Sequence, residues 1–355
     1  MVVKLPFKFP DRYSFEGERL EGGQGYVYIC SDLFLERKVA VKVVSTPADM
    51  TALRQELALL ADIRSAHVAE IYDLLEAQSG KHIGLVEQFV GGNHLADLVG
   101  KCKIIQFMRT MYQLCCGLSD IHAVQKIHRD IKPNNIRFDE EGILKILDFG
   151  ISCNVEGEGK TLNGKGTHPY IAPELYDLPA NYTNAVDIYA AGVLAYELAF
   201  GQLEACLKSI PPQKMGNPKK FSTSPLNIAP EICDLLDGAL NPSPAKRPKV
   251  EDLKRAFERR LAFGRHRAAV TSGAQSWILS DSYQSLTLKS LDCVLTIAYD
   301  GLRFIVTSAT GNVDVNNIKV KVGEELPASC VVAMNTENGS RSFITIDMSN
   351  PNIIL

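Results

Sequence analysis

Asp130, Asn135 and Asp148 fall within one short part of the chain. They belong to Ile127-His128-Arg129-Asp130-Ile131-Lys132-Pro133-Asn134-Asn135-Ile136 and to Lys145-Ile146-Leu147-Asp148-Phe149-Gly150. Two carboxylates and an amide oxygen make a hard donor set, suited to Mg2+ bridging phosphate groups. Asp130 can accept a proton from a hydroxyl, and Lys132 can neutralise charge on a phosphoryl group in transit. A generic polar hairpin would have to reproduce this whole ordered pattern by accident, so chemistry is the better reading.

A second pair lies upstream. Val39-Ala40-Val41-Lys42 sets one lysine in an apolar strand. At a sheet edge in water such a lysine costs little, but turned into a lobe interior it must meet an anion. Glu56 shares the inward face of a helical stretch marked by Leu53, Leu57, Leu60 and Ile63, and there it needs a cation. A Lys42–Glu56 pair answers both demands. Earlier still runs Leu20-Glu21-Gly22-Gly23-Gln24-Gly25-Tyr26-Val27-Tyr28. Its glycines would let backbone N–H groups approach phosphate oxygens, with Val27 over an adenine ring; taken alone, they also fit an ordinary hairpin turn.

The elements that must position these groups can be read from pattern. Tyr26–Cys30, Lys38–Val44 and His82–Val90 read as strands, rich in Val, Ile, Tyr and Phe. From about residue 104 onward the texture is helical, with one stripe at Phe107, Met111, Leu114, Leu118 and Ile121 and another at Val193, Leu194 and Leu198. A small sheet lobe therefore precedes a larger helical lobe. A basic stretch from Lys254 to Arg267 reads as a solvated final helix and hinge in preference to an anionic docking patch. Beyond it, alternating runs flank Asp300-Gly301, Asn316-Asn317 and Asn338-Gly339, predicting an antiparallel β domain of about six or seven strands.

A chain of 355 residues, 46% hydrophobic and 22% charged, has the makings of two folded domains and excludes disorder. Its formal charge of −3 gives no bulk attraction to nucleic acid or to an acidic membrane. Nine scattered cysteines without a C-x-x-C pair read as reduced, mostly buried thiols. No signal-peptide core precedes the first strand, and the most apolar stretch, Ala185 to Phe200, carries Asp187 and Glu197. The expectation is a cytoplasmic protein with no membrane insertion and no nucleic-acid partner, with export into another cell left open.

The stretch from Ile127 to Gly150 resembles the H-R-D-x-K-P-x-N catalytic loop and D-F-G motif of eukaryotic-type (Hanks-type) serine/threonine protein kinases. Gly166-Thr167-His168-Pro169-Tyr170-Ile171-Ala172-Pro173-Glu174 is similar to their G-T-x-x-Y-x-A-P-E segment. Asp187 with Gly192 resembles the family's buried D-x-x-x-x-G helix. Arg247-Pro248 resembles its late R-P, whose arginine would pair with Glu174.

This resemblance implies an α+β chain: a bilobal kinase fold over residues 12–263, with lobes at about 12–90 and 91–263, a linker at 264–275 and a sandwich-like all-β domain at 276–355. It implies ATP with Mg2+, or Mn2+ in its place, and protein substrates with Ser/Thr acceptors. Lys42 would contact the α/β-phosphates and Glu56 would hold Lys42. Asp130 would be the catalytic base, Lys132 the γ-phosphate contact, and Asn135 and Asp148 the metal ligands. Lysine two residues after Asp130 marks Ser/Thr preference, and Thr167 would support the substrate hydroxyl. Leu20, Glu21, Gly22, Gly23, Gln24, Gly25, Val27 and Ala40 would enclose the nucleotide, with Leu20 standing where the family has its first glycine. Glu87, Gln88, Phe89 and Val90 would form the hinge, either Val86 or Glu87 guarding the back of the pocket.

Arg129 resembles the arginine that senses phosphate on the activation segment, where Ser152, Thr161 and Thr167 are the acceptors. Phosphate on Thr161 would pair with Arg129 and with Lys160 or Lys165; the alternative is a loop with no switch. The competing function is a nucleotide-binding pseudokinase or scaffold. In that case the β domain, a protein- or ligand-binding module, does the work.

Overall fold

The computed structural model describes residues 5–22, 25–149, 153–154, 168–177, 182–290, 292–335 and 340–349. The chain divides into two units, Met1–Phe257 and Glu258–Ile354.

In the first unit, β1 (Tyr13–Gly22), β2 (Gly25–Asp32), β3 (Arg37–Val44), β4 (Ile71–Glu76) and β5 (Ile83–Gln88) form one antiparallel sheet in the order β1-β2-β3-β5-β4. Alternation along β3 decides what each face carries. Val39, Val41 and Val43 join Tyr28, Cys30 and Val86 in a buried cluster closed by Phe9, Tyr13 and Leu75. Ala40 and Lys42 consequently face the other way, toward a cleft. Helix α1 (Pro47–Leu60) starts with Pro47 after the Thr46 cap, whose hydroxyl accepts from the Asp49 N–H. Its Leu53 packs with Val44, Ile83 and Leu85, which fixes Glu56 on the cleft side of the sheet.

Strands β1 and β4 go beyond the strands read from the sequence. β1 is mostly exposed, carries Glu16, Glu18 and Arg19, and breaks register between Phe15 and Arg19. It therefore lacks the period-two apolar signal.

The helical lobe is built on α2 (Ile104–Ala123), with Phe107, Met111, Leu114, Leu118 and Ile121 all buried as the stripe requires. Short strands β6 (Lys126–Ile127), β7 (Ile136–Phe138), β8 (Leu144–Ile146) and β9 (Cys153–Asn154) pair as β6-β9 and β7-β8. α3 (Ala185–Phe200) is buried almost all round and ends at Gly201, whose φ of 75° suits a residue without Cβ. A Cβ on Gly192 would stand 3.1 Å from that of Ala239, so glycine there lets α3 approach α4 (Pro230–Ala239) closely. α5 (Val250–Ala262) follows, with Arg255, Arg259 and Arg260 exposed as expected for a solvated final helix.

The second unit is all β: β10 (Arg267–Ser272), β11 (Gln275–Leu279), β12 (Ser285–Ser290), β13 (Cys293–Tyr299), β14 (Phe304–Thr310), β15 (Asn312–Val315), β16 (Ile318–Lys319), β17 (Ser329–Asn335) and β18 (Arg341–Ser349). One sheet runs β11-β10-β18-β17-β15-β16 and the other β12-β13-β14. Their apolar residues share a single core, from Val270 and Ile346 to Leu288 and Leu295. Asn316 and Asn317, at φ of 48° and 66°, make the two-residue turn between Val315 and Ile318. Gly301, at φ of 95°, lies in the β13–β14 turn, while Asn338-Gly339 falls outside the described residues.

Two expectations need correcting here. The described strands number nine, above the six or seven read from turn signals. The segment 264–275, read as a linker, contains β10, which pairs with both β11 and β18. Its alanines at 268 and 269 give a weak strand signal. The eight cysteines whose side chains are described are free, and six of them are buried.

Candidate active site

Lys42 joins the two lobes. Its Nζ lies 3.0 Å from Glu56 Oε2, 3.3 Å from Glu56 Oε1 and 2.9 Å from Asp148 Oδ1. Burial works against the ammonium, but the carboxylates of Glu56, Asp148 and Glu87 outweigh it and hold its pKa above the usual lysine value. Glu56, 1% exposed, also accepts the Phe149 N–H at 3.0 Å. One carboxylate therefore orients both Lys42 and the backbone next to Asp148. The pairing expected from two otherwise unaffordable buried charges is present.

Around Asp130 the geometry is equally tight. Lys132 Nζ is 2.6 Å from Asp130 Oδ2, and the Asn135 amide donates to that same oxygen at 2.8 Å and to the Asp130 carbonyl at 2.9 Å. With its N–H groups spent on Asp130, Asn135 has its amide oxygen as the group to offer a cation.

The loop is held from below. Asp187, fully buried at the start of α3, accepts the N–H groups of His128 (2.9 Å) and Arg129 (2.8 Å) and bonds His122 Nε2 at 2.9 Å. Burial alone would raise its pKa; the bond from His122, the nearby His128 and the Arg129 N–H together hold it below the usual carboxylate value. Arg129 and Asp148 both sit in the left-handed region, at φ of 72° and 61°, a cost for non-glycine residues that such bonds offset. His128 Nε2 meets the Leu147 carbonyl at 3.1 Å and its ring packs on Phe149, tying the two loops together. Arg247 grips Glu174, as the motif resemblance implied.

A cavity opens between the lobes. Leu20, Val27, Ala40 and Leu147 give it apolar walls, Gln88, Phe89 and Val90 form one rim, and Lys42, Asn135 and Asp148 make its polar end. Leu20 lines this cavity in place of a glycine. Gly22 is opposite Gly25 in the β1–β2 register, with Glu21 opposite Tyr26. Gly23, Gln24, Ser152, Thr161 and Thr167 lie outside the described residues. Glu87 pairs with Ala40 and lines the cavity, whereas Val86 belongs to the core on the sheet's other face. The Arg129 guanidinium stacks on Tyr182 at 3.9 Å.

Ile29, Asn134, Arg137 and Leu147 also line the cavity without having been read as site residues. Asn134 and Leu147 adjoin motif residues, which was a usable signal; Ile29 and Arg137 become visible only once β2 and β7 are placed.

The donor set fits a nucleotide with a divalent ion. An apolar slot suits a flat ring, an ammonium and amide sit where phosphates need neutralising, and the Asp148 side chain is 47% exposed. Among the described residues no group of three or more His, Cys, Asp or Glu is placed to hold a metal alone, so Asn135 and Asp148 would need oxygens from the ligand.

The family model of the protein kinase domain matches residues 17–256, well over half of the chain. The chain belongs to the Hanks-type protein kinase family. Sporulation-specific protein 1 of Saccharomyces cerevisiae is 30% identical over 262 residues, covering 68% of this chain and 51% of that protein. The serine/threonine-protein kinase PknA of Corynebacterium glutamicum is 31% identical over 250 residues, 64% of this chain and 51% of its own length. PknA of Mycobacterium tuberculosis is 30% identical over 270 residues, 70% of this chain and 60% of its own. This kinase chain thus spans about half to three fifths of the relatives it matches. No described helix is long and apolar enough to cross a membrane.

Proposed function

We propose that this chain is a serine/threonine protein kinase that transfers the γ-phosphoryl group of ATP to Ser or Thr hydroxyls of protein substrates. The observation that carries the reading is Lys42, bonded at once to Glu56 and to Asp148 across the cleft. Asp130 takes the proton of the attacking hydroxyl, and Lys132, already beside it, offsets charge on the phosphoryl oxygens. Asn135 and Asp148 would hold Mg2+ or Mn2+, which when bound neutralises phosphate charge. Catalysis here is chiefly positioning and charge stabilisation by side chains fixed before the substrate arrives.

Lys132, two residues after Asp130, supports Ser/Thr over Tyr preference, as do the names of the two PknA relatives. Thr167 is assigned to the substrate hydroxyl and Thr161 to activation through Arg129. The all-β unit is read as a module for a protein or ligand partner. The kinase domain is assigned to residues 12–263.

The test is phosphosite mapping by mass spectrometry after incubating the purified full chain with ATP, Mg2+ and a generic basic protein. Phosphoserine and phosphothreonine are expected on the substrate and within 148–174. Phosphotyrosine alone would overturn the specificity, and an unmodified substrate would favour the scaffold reading.

A further inference from the structure

Strand β5 delivers a carboxyl into the slot, beside the apolar walls of Val27, Ala40 and Leu147. Glu87 stands opposite Ala40 and Leu85 opposite Lys42, which makes Glu87 and Lys42 diagonal neighbours on one face of the sheet. Glu87 lines the cavity with Val27, Ala40 and Leu147. Glu56 and Asp148 both bond the Lys42 ammonium, while the Glu87 carboxyl takes no hydrogen bond or ion pair among the described residues. Leaving a half-buried carboxyl beside the carboxylates of Glu56 and Asp148 without a partner is costly. Burial pushes it up to about 8, against the pull of Lys42 and with the push of Glu56 and Asp148.

Resting on the reading of the cleft as a purine-nucleotide site, we infer that the Glu87 side chain selects the base, taking the N6/N7 edge of adenine and rejecting the O6/N7 edge of guanine. Phosphates belong at the Lys42, Asn135 and Asp148 end, and a base in the apolar slot meets Glu87 where the slot adjoins that end. At its N6/N7 edge adenine presents an amine donor next to a ring-nitrogen acceptor, where guanine presents two acceptors, O6 and N7. An ionised Glu87 accepts from the amine and repels a carbonyl oxygen. A neutral Glu87 accepts from the amine and donates its O–H to the ring nitrogen; against guanine its own carbonyl is left facing a lone pair. At this edge the preference has one sense in both ionisation states. Glu87 thereby acts through its side chain, beyond the backbone role expected of the hinge.

Calorimetric titration of the full chain with Mg2+ and three nucleotides tests this: ATP, GTP, and purine riboside triphosphate, which lacks the 6-amino group. Wild type is expected to bind ATP at least about tenfold more tightly than either of the others. In Glu87→Leu the gap between ATP and purine riboside triphosphate should shrink to about threefold or less, through weaker ATP binding. Glu87→Met, unbranched and of similar length, serves if the leucine variant does not fold. Glu87→Gln, which keeps a donor and an acceptor, should retain the preference for ATP. A wild-type ratio near one, or a ratio unmoved in both apolar variants, overturns the role of Glu87. Because the readout is binding, selective ATP binding without phosphate transfer would remove the transferase reading and leave Glu87 standing. Phosphate transfer with an unmoved ratio would do the reverse, and a chain that binds no nucleotide overturns both.

Discussion

The guanidinium of Arg247 holds the carboxylate of Glu174 through two hydrogen bonds of 2.6 and 2.7 Å, with the Arg247 side chain fully buried. The same guanidinium donates to the carbonyls of Ala185, Asn241 and Pro242. It pins the segment ending at Glu174 to the start of α3. A buried, bidentate arginine has no equivalent in lysine.

Truncating Arg247 leaves Glu174 and three carbonyls without their donor. Arg247→Ala is expected to destabilise the first unit by about 3 kcal/mol, with Arg247→Lys recovering less than half of that. Urea unfolding followed by tryptophan-independent circular dichroism measures it; a loss below about 1 kcal/mol would contradict the assigned role.

Asp187 predicts a pH dependence. Its folded-state pKa lies below the unfolded value of 3.8, so the stability it contributes is present above that value and is lost as pH falls through the folded one. Asp187→Asn should therefore be less stable at neutral pH, and its stability should fall less steeply than that of wild type below about pH 4. Parallel acid slopes in the two proteins would show that Asp187 is not held low.

Glu56 is assigned to orienting Lys42, not to touching substrate. Glu56→Gln keeps the shape but removes the charge, and is expected to lower kcat/KM for ATP by about tenfold or more with the fold intact. Lys42→Met should reduce phosphate transfer further still, since it removes the ammonium itself. Steady-state kinetics at varied ATP concentration would detect either; wild-type kinetics in Glu56→Gln would detach it from the site.

Thr161 is the proposed activating acceptor. Wild-type protein with phosphate verified at Thr161 should show higher initial activity than Thr161→Ala, and Arg129→Ala should abolish the difference. Equal initial rates for phosphorylated wild type and Thr161→Ala would dispose of the switch.

Much of the site was legible because its chemistry leaves few alternatives. Lys42 and Glu56 each posed a burial problem that only the other solved, and they lie 3.0 Å apart. What stayed hidden depended on pairing. Whether Val86 or Glu87 faces the cleft follows from the β3–β5 register, where a slip of one residue exchanges the faces. β1 was obscured by the charges of an exposed strand, and β10 by small residues in a stretch that looked like a hinge. The stacking of Arg129 on Tyr182 could not be read either, because it depends on a residue distant in sequence.

The most direct test of the transferase is Asp130→Ala in the full chain, with radiolabelled phosphate incorporation into a basic protein read beside calorimetric ATP binding. Transfer should fall to background while ATP affinity stays within about threefold of wild type, because Asp130 acts on the hydroxyl and not on the nucleotide. Phosphate incorporation equal to that of wild type would contradict the account.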